Sequence, residues 1–145
     1  MKKILFTLLL FISSLYSSII NEYPSLKLIE EKTPIVDIRT PGEWIETGIL
    51  KNAIPLMFFD ERGRYDVQGF LTKLNEKVDT TKPFALICRT GSRTKMLSMF
   101  LSKELGYQII NLEGGMMYAK GKNLPITPYN YSKFIKILFS ISSLD

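Results

Sequence analysis

The chain has 145 residues, enough for one domain with a core of its own. With 46% hydrophobic and 23% charged residues, it falls among folded rather than disordered chains. Formal net charge is +5, but no basic run is interleaved with aromatics, which argues against a nucleic-acid surface; a mild positive field instead favours the approach of a small anion.

The first eighteen residues read as a signal peptide. Lys2-Lys3 forms the charged start, Ile4 to Ile12 the apolar stretch, and Ser13 to Ser18 offers small residues for cleavage. The alternative is an uncleaved anchor, since Ile4 to Ile20 reaches the lower length limit for a bilayer crossing, though four serines weaken it. Either reading puts residues 19–127 outside the cytoplasm, with the bacterial periplasm the best fit. Without the leader's two lysines the charge falls to +3.

Ile19 to Tyr23 reads as a first strand, and Ser25 to Lys32 as a short helical turn ended by Thr33-Pro34. Ile35 to Ile38 is a β-branched run suited to a buried strand. Thr40-Pro41-Gly42-Glu43 predicts a helix start: Thr40 as N-cap, Pro41 at the first position and Glu43 closing a capping box. Gly48 stops that helix, and Ala53 to Met57 is the next strand. Asp60 to Arg64 is a polar turn, and Phe70, Leu71, Leu74 and Val78 set a helix over Asp66 to Val78. Phe84 to Ile87 is a strand running straight into Cys88. Met96 to Leu105 continues a helix ended by Gly106, Tyr107 to Leu112 is a strand, and Gly114-Gly115 opens a last short helix. Leu124-Pro125-Ile126 closes the domain, and residues 128–145 form an apolar tail that can dock, lie on a membrane or remain unfolded. The alternation of strands and helices predicts an α/β fold with a mostly parallel sheet, whose ligands sit at the carboxyl ends of the strands.

Cys88 stands at such an end. It is the only cysteine, so an exported domain has no internal disulfide, and the thiol is either an inert core residue or a working one. The thiolate is the reactive form of a thiol, and positive surroundings favour it. Arg89 and Arg93 carry permanent charge, Gly91 lets successive amides converge, the following helix points its N-terminus at the loop, and Thr90, Ser92 and Thr94 add hydroxyls. No metal-ligand cluster is visible, and the chain has no histidine to serve as a base.

Asp37-Ile38-Arg39-Thr40-Pro41-Gly42-Glu43-Trp44 resembles the first signature of the rhodanese family. Cys88 to Arg93 resembles its six-residue active-site loop, and Asn111-Leu112-Glu113-Gly114-Gly115 with Leu124-Pro125-Ile126 its closing signature. The three motifs occur in order across Ile19 to Ile126. Two departures stand out: Thr47-Gly48-Ile49 replaces a Gly-His-Ile common in the family, and Ala119 stands near a frequent tryptophan.

The resemblance implies a three-layer rhodanese-like fold and sulfur transfer. Cys88 would take the outer sulfur of a small anionic donor such as thiosulfate. A cyanide, a thiol or a protein acceptor would then remove it, with no metal or organic cofactor. Arg89, Thr90, Gly91, Ser92, Arg93 and Thr94 would form the substrate cradle. Asp37, Arg39 and Glu43 would serve as a structural signature of ion pairs and capping. Membrane contact would come only from an uncleaved leader or the tail. Cysteine phosphatases, the nearest rival, place five residues between Cys and Arg; here four separate Cys88 from Arg93. The non-enzymatic alternative is a periplasmic sulfur carrier or redox adaptor.

Overall fold

The structure is a computed structural model and describes residues 18–130. The expected leader, apart from Ser18, and the tail beyond Asn130 lie outside the described residues. Seven strands and five helices alternate: β1 (Ile19–Glu22), α1 (Leu26–Glu30), β2 (Ile35–Asp37), α2 (Pro41–Thr47), β3 (Ile49–Leu50), β4 (Ile54–Pro55), α3 (Val67–Lys77), β5 (Phe84–Ile87), α4 (Ser92–Leu105), β6 (Ile109–Leu112), α5 (Gly115–Gly121) and β7 (Ile126–Thr127). Five of the strands form one sheet in the order β1-β6-β5-β2-β4, with every pairing parallel.

The central strands β2, β5 and β6 are buried on both faces, and their side-chain alternation divides two cores. Val36, Ile38, Phe84, Leu86 and Cys88 point to the face covered by Phe70 and Leu74 of α3 and Leu97 and Leu101 of α4. Ile35, Ala85, Ile87, Ile110 and Leu112 point to the other, under Leu28 and Ile29 of α1 and Met116 and Ala119 of α5. This is the expected three-layer α/β fold. Ala119 has no exposed surface, so the small residue is fully absorbed by the second core.

Two differences from the sequence reading have local causes. The strand expected over Ala53 to Met57 is only Ile54–Pro55, at the sheet edge where a residue lacking an N–H is tolerated. Its neighbours still follow β2, with Leu56 N–H donating to the Asp37 carbonyl at 3.0 Å and Phe58 N–H to Ile38 at 3.2 Å. The short β3 and β7 pair antiparallel as a separate ribbon, too short for a hydrophobic period to reveal. At the other edge, the Ser18 carbonyl accepts from Ile109 N–H at 2.9 Å, so the sheet's hydrogen bonds begin at the last residue of the expected leader. Among the described residues no helix is long and apolar enough to cross a membrane.

Candidate active site

β2 and β5 are neighbours, and Asp37 lies opposite Ile87. That register sets Ile38, just beyond β2, opposite Cys88, just beyond β5, at the carboxyl edge of the sheet. From Cys88 the chain turns through Gly91, which has φ 95° and caps α4 with no side-chain hydrogen bond. This left-handed turn, easy only for glycine, aims the Gly91 N–H back at the Cys88 sulfur at 3.1 Å. Thr94 Oγ1 lies 3.7 Å from the same sulfur and donates to the Gly91 carbonyl at 3.0 Å. One hydroxyl hydrogen cannot serve both acceptors. While it is on Gly91, a protonated sulfur can donate to Thr94; a thiolate would draw it over instead.

The loop is held from outside by α5. Met116 N–H donates to the Cys88 carbonyl at 2.9 Å, and Met117 N–H to the Arg89 carbonyl at 3.0 Å. Such close approach needs Gly115: a Cβ there would run into the Cys88 carbonyl oxygen and lie 2.8 Å from the Arg89 carbonyl. The Gly-Gly pair of the closing signature therefore acts on the cysteine loop, beyond opening a helix.

A second clamp joins the first signature to the loop. Asp37 and Arg39 form a fully buried ion pair at 2.7 Å. The same guanidinium donates to the Gly48 carbonyl at 2.7 Å, Thr47 Oγ1 at 2.6 Å and the Glu43 carbonyl at 3.3 Å. Arg39 thus fixes the C-terminal end of α2, where Thr47 Oγ1 and the Gly48 carbonyl both accept from it. At the other end of α2 the capping box forms as expected, with Thr40 N–H donating to Glu43 Oε2 at 3.1 Å. Glu43 does more than cap. Its carboxylate takes both terminal nitrogens of Arg93, at 2.6 and 2.8 Å, across fifty residues of sequence. Burial pushes the Glu43 carboxyl up, but hydrogen bonds from Arg93 and from Thr40 N–H outweigh it and hold the group below its usual range. The bond to Glu43 raises Arg93 above the ordinary guanidinium value against the opposing effect of burial, and the nearby Cys88 adds to the rise.

Cys88, Gly91, Arg93 and Thr94 therefore converge. Cys88 has no exposed surface. Arg89, Thr90 and Ser92 are exposed, and the Thr90 and Ser92 hydroxyls lie 3.3 Å apart. Asp37 and Arg39 form the frame behind the loop. The sequence reading left out Glu46, Thr47, Met116, Met117 and Lys120, which with Arg89 line a cavity of about 250 Å³ between α2 and α5. Their signal was faint: Met116, Met117 and Lys120 recur at helical spacing just after the Gly-Gly pair.

The sequence profile of the rhodanese-like domain family matches residues 25–121. The chain is similar to "Putative sulfurtransferase YtwF" of Bacillus subtilis, with 27% identity over 96 residues covering 66% of this chain and 82% of that protein. The solution structure of the polysulfide-sulfur transferase homodimer from Wolinella succinogenes is similar at 25% identity and TM-score 0.57, over 78% of this chain and 81% of that one. A rhodanese-like domain protein from Staphylococcus aureus shares the fold at 23% identity and TM-score 0.53, over 76% and 98% of the two chains.

Proposed function

Since the chain belongs to the rhodanese-like domain family, we propose that it is a sulfurtransferase carrying sulfane sulfur from an anionic donor such as thiosulfate to a thiophilic acceptor. The observation that carries this reading is the Gly91 N–H at 3.1 Å from the Cys88 sulfur, inside a loop too short by one residue for a phosphatase cradle. The Cys88 thiolate attacks the outer sulfur of thiosulfate. A new S–S bond forms at Sγ, and the bond to the oxidised sulfur breaks with its electron pair leaving as sulfite. Cyanide or an acceptor thiolate then attacks the outer sulfur and returns the electron pair to Cys88. Arg93, a permanent cation near the sulfur, stabilises negative charge there without a histidine. Arg89 is exposed and free to meet the donor. Because Cys88 is buried, transfer requires the exposed loop side chains to move aside.

Intact mass of the protein after incubation with thiosulfate tests this. A gain of one sulfur atom, absent in Cys88→Ala, is expected; no gain across several sulfane donors overturns the reading. Steady thiocyanate release from thiosulfate and cyanide separates an enzyme from a carrier. A carrier reading is favoured by one feature, an apolar cleft of about 300 Å³ lined by Phe58, Tyr65, Met96 and Phe100 between α4 and the segment that precedes α3, which suits a protein partner. The leader's lysines and apolar run support export to the periplasm. Fractionation of cells expressing the full chain checks it, and recovery in the cytoplasm would refute it.

A further inference from the structure

We infer, resting on the sulfurtransferase reading, that the cavity between α2 and α5 is an acceptor subsite for an amino-acid thiol, one that carries both a carboxylate and an ammonium group. Arg39 and Glu43 in its wall are committed, to Asp37 at 2.7 Å and to Arg93 at 2.6 Å. Three charges remain: Arg89 from the loop, Lys120 from α5 and Glu46 from α2. None of the three is in an ion pair among the described residues, and all are exposed. Two cations and one anion around a small cavity match a zwitterion: carboxylate to Arg89 and Lys120, ammonium to Glu46. Met116 and Met117 add polarizable thioethers suited to a carbon–sulfur arm.

Size points the same way. About 250 Å³ holds roughly eight waters' share of liquid, room for an amino acid the size of cysteine and far more than cyanide needs. Position agrees too. Arg89 follows Cys88 directly, and its carbonyl is pinned by Met117 N–H at 3.0 Å, so the cavity wall and the sulfur-bearing loop are one piece. A thiol seated there loses its proton to solvent and attacks the outer sulfur of the Cys88 persulfide. A sulfur–sulfur bond forms on the acceptor, and the Sγ–S bond breaks to regenerate the Cys88 thiolate.

The binding test uses S-methylcysteine, a thioether that cannot react, titrated into the full chain by NMR. Saturable binding is expected, weakened about tenfold in Lys120→Glu, where charge reversal replaces attraction by repulsion. Glu46→Gln should weaken S-methylcysteine but not methylthiopropionate, which keeps the carboxylate and lacks the ammonium. In turnover, Lys120→Glu should lower kcat/KM for cysteine about tenfold relative to 2-mercaptoethanol. Absence of saturable binding, or equal affinity in the wild type and both variants, overturns the subsite. Failure of the sulfurtransferase reading shows separately, as an unchanged mass after thiosulfate, while the titration still decides the subsite.

Discussion

Gly115→Ala is the sharpest test of how the cysteine loop is held. The residue has φ 53°, and an added Cβ would strike the Cys88 carbonyl oxygen and sit 2.8 Å from the Arg89 carbonyl carbon and oxygen. Those atoms belong to backbone fixed by β5, so they cannot rotate away. A left-handed alanine costs about 1–2 kcal/mol. Relieving the clash pushes α5 off the loop and strains two hydrogen bonds, Met116 N–H to Cys88 at 2.9 Å and Met117 N–H to Arg89 at 3.0 Å, each worth about 1 kcal/mol. The expected loss is about 3–4 kcal/mol, or roughly 10 °C in Tm for a domain of this size. Thermal unfolding by circular dichroism measures it, and iodoacetamide labelling should show the buried Cys88 reacting faster. Gly121→Ala is the control on the same helix: nothing lies within 4 Å of its Cβ position, so it should be neutral or stabilising by up to about 1 kcal/mol. A Gly115→Ala protein melting within about 2 °C of wild type, with unchanged labelling, would refute the clamp.

Arg39→Met leaves Asp37 buried and unpaired, and should cost about 3–5 kcal/mol in chemical denaturation; adding Asp37→Asn should recover part of that loss, and no recovery would count against the pair as the cause. Glu43 is held below its ordinary value of 4.5, so its stabilising contribution is present above that pH and is lost as pH falls through the lower folded value. Tm should therefore fall less between about pH 6 and about pH 3 in Glu43→Gln than in wild type. The half-buried Asp60 and the exposed Asp79, also held low by hydrogen bonds, remain in both proteins and cancel; equal slopes would remove Glu43 from the acid response. Thr94→Val removes the hydroxyl 3.7 Å from the sulfur and should slow Cys88 alkylation near neutral pH with an unaltered far-ultraviolet spectrum. Alkylation as fast as wild type would show that the Thr94 hydroxyl plays no part in the reactivity of Cys88.

Features set by neighbouring residues were readable from the chain. The Thr40–Glu43 box, the Gly106 stop and the Cys88 turn each depend on residues a few positions apart, and the structure forms all three. What escaped reading depends on distance along the chain. Nothing local to Glu43 announces that a partner fifty residues later will share its carboxylate, because a capping glutamate already has a sufficient local role. The cavity draws on α2, the loop and α5, and its lining side chains come together only once the sheet order β5-β2 and the docking of Gly115 are known. The β3–β7 ribbon is missed for another reason: two residues carry no period.

A parallel sheet has a direction, and here that direction orients the whole molecule. Ile19 opens β1 in register with Ile109, which in turn pairs with Phe84 at the start of β5, so the chain enters at the amino edge. Cys88 stands at the opposite edge, about 13 Å of strand away. Ser18 and the Cys88 loop therefore stand at opposite ends of the sheet. A support coupled at Ser18 would leave the cysteine loop and the α2–α5 cavity at the far end of the strands, like a lamp on a stalk.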